Sequence, residues 1–526
     1  MTLTRSPALP ARDADRDRAR DRHRRPGRER SPFRRAVTVT AVLIALGSAL
    51  GFGRDLLLAQ IFGATGSTDA FLVAWTVPET AAPLLIEGAM AFLLVPLFSR
   101  AADAGGIREA VAATLPRVLA GLVPVSGGTA LAAPWLVDAL APGLADPGLA
   151  VRCMRITAAT VLMFGLAGYL SAALRARQVF GPPAAIYVAY NAGVIAFVLA
   201  LHDRLGVAAA ALGVACGGAL MVAVQVPGFL RHIGPPRRTP AGASVLLAAF
   251  VPIAAFTLLR QGQVFVERFA GSSLPAGSIS HLNYAQKIAQ VPMTLSLIIA
   301  TVTLPALARS VTAGDTAAAR RRITGDLGLA GAIVLSGTAF LLAFAPEIVA
   351  LLLQRGAFAP ADTAATAAIV RLYSLGLLGQ TVVGVLCRVF FCGERPTWYP
   401  AGAMAAGLAV TAGLAAAAPH WGTAGITLAN VAGITLTAAA LLPGRGGPLP
   451  LPVRPVLAVL GRLALAAAAA TGAGWLVRPV LAGLPAVATL ALGAAVVGSV
   501  FIVVATATGS KEIARMIGYA PAEERP

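Results

Sequence analysis

The chain has 526 residues, of which 57% are hydrophobic and 12% are charged, whereas a soluble protein carries about 25% charged residues. Apolar runs of the roughly 20 residues that cross a bilayer core as a helix recur along almost the whole sequence. This composition excludes an ordinary soluble protein and predicts a polytopic helical membrane protein.

Residues 1–35 contain twelve arginines and five acidic residues and so carry +7 of the net charge of +19, and the remaining basic residues lie mostly in short loops between apolar runs. Apart from Phe33, this segment has no aromatic residue on which a base could stack, so the pattern argues against a nucleic-acid partner. We predict that 1–35 is a disordered, basic cytoplasmic tail that contacts the anionic headgroups of membrane lipids.

Fourteen membrane helices follow, separated by Gly/Pro-rich hairpins such as "LAPGLADPG" and "PGRGGPLPLP". They are predicted at 36–61, 68–100, 114–139, 151–172, 182–202, 207–232, 245–270, 281–308, 326–353, 363–392, 397–417, 422–443, 456–480 and 485–508. Helices 1–6 form an N-terminal lobe at 36–240, and helices 7–12 form a C-terminal lobe at 241–444. Residues 445–526 hold helices 13 and 14 and a short cytoplasmic tail.

The loops alternate in their content of basic residues. Loops on one side contain pairs or triplets such as Arg320–Arg322, whereas the alternate loops contain single exceptions such as Arg204 and Arg355. Under the positive-inside rule this alternation places both termini in the cytoplasm.

An internal repeat supports two lobes. "TDAFLVAWTVP" (Thr68–Pro78) aligns with "LNYAQKIAQVP" (Leu282–Pro292), and this alignment pairs Asp69 with Asn283. The offset is about 210 residues, or six helices, so both copies run in the same direction across the membrane. This predicts a parallel repeat with a substrate site between the halves.

No pattern predicts bound metal or cofactor chemistry. The four cysteines have no CxxC spacing, the five histidines are scattered, and there is no Walker loop. We therefore predict no catalytic residues, no metal site and no cofactor. Any transport must then be driven by membrane potential or by an ion gradient.

Five segments resemble the MurJ/MviN lipid II flippases of the multidrug/oligosaccharidyl-lipid/polysaccharide exporter superfamily. They are "GFGRDLLLAQIFGATGSTDAF", "IEGAMAFLLVPLFSR", "ALRARQVFGPPAAIYVAYNAGVI", "LPAGSISHLNYAQKIAQVP" and "LLLQRGAFAPADTAAT". The resemblance implies alternating access around a central cationic cavity in the bacterial plasma (inner) membrane. The implied cargo is a peptidoglycan precursor, an undecaprenyl-diphosphate-linked disaccharide-pentapeptide.

The chain departs from the family pattern at three places. Ser48 replaces an arginine of the first helix, Ala82-Pro83 replaces an arginine pair of the second, and Gln286-Lys287 replaces Asp-Arg on the eighth. The family arginines are implied to bind the diphosphate.

The ionisable groups of the spans are the candidate site, because a charge at the bilayer centre costs about 3 kcal/mol. Cations facing a wet cavity would pair with phosphate oxygens. The candidates for that role are Arg54, Lys287 and Arg260. Candidates for gating or ion coupling are Asp55, Asp69, Glu79, Glu87 and Glu267. Candidate hinges are Pro78, Pro83, Pro292 and Pro305.

Simpler roles stay open for some of these residues. Arg54-Asp55 and Glu267-Arg268 are equally consistent with local structural ion pairs, and Asp69 with an N-cap of its own helix. At the level of function, two alternatives remain. One is a flippase or exporter of another lipid-linked saccharide or amphiphile, and the other is a non-transporting membrane scaffold. The protein is predicted to be a monomer.

Overall fold

The computed structural model describes residues 30–235, 251–296, 315–391, 397–417, 420–445, 447 and 449–510. At 30–37, 87–89 and 91–92 the structure describes the backbone alone. The helices are α1 Arg30–Phe62, α2 Gly66–Ala82, α3 Pro83–Leu94, α4 Val95–Asp103, α5 Ile107–Leu131, α6 Ala133–Leu140, α7 Pro147–Thr157, α8 Ala159–Ala176, α9 Gly181–Leu205, α10 Ala208–Ala223, α11 Val226–His232, α12 Val251–Ser272, α13 Ser278–Ala289, α14 Thr316–Leu353, α15 Pro360–Phe391, α16 Tyr399–Ala415, α17 Gly422–Leu441, α18 Val453–Leu481 and α19 Ala486–Ala507.

The described residues form helices and turns and contain no strand. Eleven helical segments among them are long and apolar enough to cross a membrane. The predicted class, an all-α polytopic membrane protein, is confirmed. The count of fourteen spans stays a prediction, since parts of the predicted spans 245–270 and 281–308 lie outside the described residues.

The second predicted span is one continuous helical rod with a change of helix type. Pro78 lies inside α2, and Pro83 begins α3, which is a π-helix of 12 residues. Proline has no N–H to donate to the carbonyl four residues earlier. The backbone widens to i→i+5 bonding from Pro83 onwards, and returns to α-helical bonding at Val95.

Helix α14 begins ten residues before the predicted start at 326, so the prediction that Arg320–Arg322 lie in a loop is wrong. The Asp315 carboxylate caps the helix by accepting a hydrogen bond from the Ala318 N–H at 2.9 Å. Alanine and arginine are strong helix formers, and the sequence following Asp315 is rich in both. The helix therefore extends beyond its apolar stretch.

A kink interrupts α14 at Phe344, two residues before Pro346. Pro346 cannot bond to the carbonyl of Leu342, which is four residues earlier. That carbonyl instead accepts hydrogen bonds from Arg371 Nε at 3.1 Å and from Trp475 Nε1 at 3.3 Å. Neighbouring helices thus satisfy the group that the proline releases.

The helices pack mainly within two halves. In the first half, α1 packs on α9, α2 on α7, and α3 on α8. In the second, α12 packs on α16, α15 on α17, and α18 and α19 pack on α14. The halves meet where α2 and α3 contact α12 and α13. The predicted lobe boundaries at 240 and 444 stay predictions.

Candidate functional site

One end of the bundle, here named the closed end, joins the two halves through four turns: 63–65, 141–146, 273–277 and 354–359. The Ala357 N–H donates to Gln60 O at 2.8 Å. The Gly143 N–H donates to Ser272 Oγ at 3.2 Å. Both bonds connect the first half with the second, so this end of the molecule is held shut.

Asp69 is the strongest link at the closed end. Its Oδ2 accepts from the Gly277 N–H at 2.7 Å, and its Oδ1 accepts from the N–H of Ser280 at 2.7 Å and from Ser280 Oγ at 2.5 Å. These donors surround the start of α13, where backbone N–H groups lack helical partners and the helix dipole favours an anion. Asp69 therefore caps a helix of the opposite half.

The interpretation of Asp69 as the cap of its own helix is wrong. Thr65 is the N-cap of α2, and its Oγ1 accepts from the Thr68 N–H at 3.3 Å. Asp69 lies in the first turn of α2 and is 4% exposed. Its carboxylate is consequently available to the other half.

Two glycines allow the turns to approach this closely. Gly277 has φ +93°, and a Cβ there would overlap the Ala64 carbonyl oxygen of the other half. Gly356 has φ +58°, and a Cβ there would overlap Gln60 O. A residue with a Cβ would be strained at either position and would force the halves apart.

Arg268 is a second link, buried to 1% exposure in α12. Its guanidinium donates to Thr76 Oγ1 at 3.4 Å, to Ile279 O at 3.4 Å and to Asn283 Oδ1 at 3.0 Å. Of these oxygens, Thr76 Oγ1 belongs to the first half. All three are neutral, so Arg268 is held by hydrogen bonds to uncharged acceptors.

The prediction of a Glu267-Arg268 ion pair is wrong. Glu267 Oε1 accepts from Asn430 Nδ2 at 2.5 Å, inside the second half. Residues adjacent in a helix project in different directions, and here each side chain finds its own partner.

The third link is an ion pair between Lys287 Nζ and Glu79 Oε1, 2.8 Å apart. Both side chains keep about a quarter of their surface exposed, at 28% and 25%. Asp69, Thr76 and Glu79 are seven and three residues apart and so share one face of α2. The three links form a column about 15 Å long at 1.5 Å per residue.

Arg54 lies in a separate buried cluster of the first half. It donates to Asp55 Oδ1 from Nε at 3.0 Å and from Nη2 at 2.7 Å, and from Nη1 to Asn191 Oδ1 at 3.0 Å. Its guanidinium also lies 4.4 Å from the centre of the Trp75 ring, in a cation–π contact. The predicted Arg54-Asp55 ion pair is confirmed.

Two cavities lie next to these links and share Glu79 and Pro83 in their walls. The first, of about 450 Å³, is lined by Arg54, Trp75 and Asn191. Ser48 and Ala82, which stand where the family pattern has arginines, also line it. The second, named the glutamine cavity, has a volume of about 240 Å³. Its lining residues are Glu79, Pro83, Arg260, Gln261, Gln263, Val264, Gln286, Lys287, Gln290, Gln380, Val383 and Ile434.

The three predicted cations differ in how they are held. Arg54 and Lys287 are each paired with a carboxylate. Arg260 is exposed in the wall of the glutamine cavity, and the structure records no hydrogen bond or ion pair between it and another described residue. Arg260 is therefore the cation most readily available to a ligand.

The remaining predicted residues lie elsewhere. Glu87 lies on α3, but its side chain is outside the description, and Pro305 is outside the described residues altogether. Pro292 packs against Gly337 of α14. Asp55, Asp69 and Glu267 are not among the residues that line the two cavities.

Sequence reasoning missed Arg268, Asn191 and the glutamines as site residues. A signal for Arg268 existed in the repeat. Asp69 and Asn283, which the repeat aligns, are 214 residues apart. Arg268 lies the same 214 residues after Arg54, so the repeat aligns these two arginines. The glutamines carry no charge and stand in apolar helices, so no comparable signal marked them.

Within the described part of the chain, no group of three or more His, Cys, Asp or Glu side chains is placed to hold a metal ion. The chemistry that the site offers is that of hydrogen bonds, paired charges and one uncommitted guanidinium.

Solved structures identify the class of the fold. A structure described as "Lipid II flippase MurJ, inward closed conformation" matches with a TM-score of 0.75 at 18% identity, covering 91% of this chain and 99% of that one. An inward-facing multidrug resistance MATE family transporter of the MOP superfamily matches with a TM-score of 0.62 at 14% identity, covering 76% and 95%. The fold is that of MOP superfamily transporters.

Sequence comparison identifies the family. The family model described as "Lipid II flippase MurJ" matches residues 58–503. A probable lipid II flippase MurJ of Rhizobium meliloti is 30% identical over 471 residues, or 84% of this chain and 87% of the relative. The lipid II flippase MurJ of Burkholderia cenocepacia is 29% identical over 378 residues, or 68% and 73%. The chain belongs to the lipid II flippase MurJ family.

Proposed function

We propose that this protein is a lipid II flippase, which carries the lipid-linked peptidoglycan precursor from the inner to the outer leaflet by alternating access. The match of the family model over residues 58–503 carries this assignment. The protein is a transporter in a multi-pass arrangement in the inner membrane.

The closed end supplies the gate in this proposal. The links made by Asp69, Arg268 and Lys287 close one end of the space between the halves. Each link is a small set of polar contacts that water can replace, so the halves can separate there. We assign the closed end to the outer side, with both termini cytoplasmic, because this orientation places the arginine-rich loops inside.

The diphosphate would engage the cavity cations. Arg260 is uncommitted and would bind first, as a planar guanidinium suited to phosphate oxygens. Lys287 is bound to Glu79 across the halves, so a phosphate that competes for Lys287 would release this link. Substrate binding and opening of the closed end would thereby be coupled.

We further propose that membrane potential or an ion gradient drives the cycle, since one charge moved through 100 mV gains about 2.3 kcal/mol. Glu79, once released from Lys287, is the acid best placed to bind the coupling cation. A monomer suffices for this mechanism, and the basic segment at 1–35 would contact anionic lipid.

Complementation tests the cargo. The protein is expressed in cells depleted of their own lipid II flippase, with Lys287→Gln as the matched inactive variant, and membrane levels of both are measured. We expect growth with the wild-type chain and lysis with the variant. Failure of the wild-type chain at good membrane expression would rule out lipid II as cargo and favour another lipid-linked saccharide. Rescue by Lys287→Gln would contradict the proposed transport role of Lys287.

A further inference from the structure

Glutamine is the most frequent residue in the wall of the glutamine cavity. Five of its twelve lining residues are glutamines, contributed by α12, by α13 with the turn that follows it, and by α15. They are Gln261, Gln263, Gln286, Gln290 and Gln380. A glutamine in a membrane helix either bonds to a neighbouring helix, as Gln225 does to Ser171 and Ala167, or faces a polar space. Amides from three parts of the second half that meet at one cavity therefore indicate a bound polar group.

One of these amides has no partner. Gln263 is 7% exposed, and its Nε2 donates to no described residue. A buried donor without an acceptor destabilises the protein that contains it. Gln263 lines the cavity, so an acceptor atom placed there would satisfy it.

The charges around the cavity are nearly balanced. Glu79 and Lys287 neutralise each other at 2.8 Å, which leaves Arg260 as the uncompensated charge among the lining residues. One guanidinium can pair with one phosphate group. The five amides need a partner that both donates and accepts hydrogen bonds without a net charge.

We propose that the glutamine cavity is the subsite for the saccharide of the headgroup, where the glutamine amides bind sugar hydroxyl and N-acyl groups. This assignment rests on the proposed function and adds to it: Arg260 and Lys287 bind the diphosphate, and the amides select for the glycan. At about 240 Å³ the cavity is smaller than the roughly 300–1,000 Å³ that encloses a drug-sized ligand. In this closed conformation it holds one sugar ring and not the whole headgroup.

Gln263→Leu separates the glycan from the lipid anchor. The full-length variant is titrated in detergent by native mass spectrometry with lipid II and with undecaprenyl diphosphate, which has no sugar. We expect the affinity for lipid II to fall about tenfold, the range for one lost hydrogen bond to a buried group. The affinity for undecaprenyl diphosphate should stay within about twofold. Gln178→Leu, at an exposed glutamine in the turn after α8 that lines neither cavity, is the matched control and should change neither affinity.

Stability provides an independent readout. Leucine is close to glutamine in size and has no donor to satisfy, so Gln263→Leu should keep or raise the melting temperature of the ligand-free protein. Gln286→Leu repeats the test at a half-buried position if the first variant does not fold.

Equal losses for both lipids, or no loss for lipid II, would overturn the saccharide subsite while leaving the flippase function intact. A wild-type protein that prefers the glycan-bearing lipid but does not support growth would overturn the proposed cargo and leave the subsite standing. The two failures are therefore distinguishable.

Discussion

Asp69 and Ser280 are 211 residues apart in sequence, yet the Asp69 carboxylate lies 2.7 Å from the backbone nitrogen of Ser280. One half of the protein thus caps the first turn of a helix in the other half. An alternating-access cycle has to break this cap each time the closed end opens, and the free N–H groups of α13 are then exposed to water.

Removing the cap should loosen the closed end. We expect Asp69→Ala to raise the hydrogen-exchange rate of the amides at 277–284 about fivefold or more, because a lost cap costs about 0.5–2 kcal/mol. Mass spectrometry of peptides from this segment measures the change. Asp315→Ala is the control: Asp315 caps α14 within its own half, at the end of that helix opposite to the closed end, by accepting from the Ala318 N–H at 2.9 Å. Unchanged exchange at 277–284 in Asp69→Ala would show that the cap does not hold the gate.

Glu79 and Lys287 should be energetically coupled. Each single variant, Glu79→Gln or Lys287→Gln, leaves one charge without its partner in a half-buried site. A double-mutant cycle on unfolding in detergent should give a coupling free energy of roughly 1–3 kcal/mol. The exchanged pair, Glu79→Lys with Lys287→Glu, should recover much of the stability but not transport, because the cation then lies on the wrong helix. Additive effects of the single variants would argue against a link between the halves.

Arg54 should not tolerate lysine. A lysine keeps the charge but cannot bond to Asp55 and Asn191 in the same fork or stack as a plane on Trp75. We expect Arg54→Lys to lower the free energy of unfolding by about 2 kcal/mol. Arg177→Lys, at an exposed arginine in the turn after α8, should be neutral within about 0.5 kcal/mol. A neutral Arg54→Lys would mean that only the charge matters in this cluster.

Arg260 should affect binding without affecting stability. It is exposed, and no partner among the described residues depends on it, so Arg260→Gln should change the free energy of unfolding by less than about 0.5 kcal/mol. Its affinity for undecaprenyl diphosphate should fall about tenfold, the loss of one charge-assisted hydrogen bond, and the loss should shrink at high salt. A stability loss as large as that of Arg54→Lys would show that Arg260 is structural.

The helical class and the apolar helices of the described residues were predictable, because the length of an apolar run and the Gly/Pro breaks between runs are local properties. Hydropathy does not predict the early start of α14, because it marks where a helix enters the bilayer and not how far the helix continues into water. The π-helix after Pro83 was also missed, because a proline inside a span predicts a kink as readily as a wider turn.

The candidate site was predictable in its charges and not in its pairings. Charged residues such as Arg54 and Lys287 stand out in apolar helices, so charge alone singled them out. The partners of Asp69 and Arg268 belong to helices far away in sequence, and only the packing of the halves determines which donors meet which acceptors. Gln263 is neutral, and its lack of a partner is visible only in three dimensions.

The π-helix at Pro83–Leu94 has a mechanical consequence for the rod formed by α2, α3 and α4. A change from i→i+5 to i→i+4 bonding alters the number of residues per turn, and each residue gained or lost rotates everything beyond it by about 100°. The segment can therefore act as a swivel. The far end of the rod, which carries Arg100, can then rotate about the helix axis while Asp69 stays hydrogen-bonded to α13.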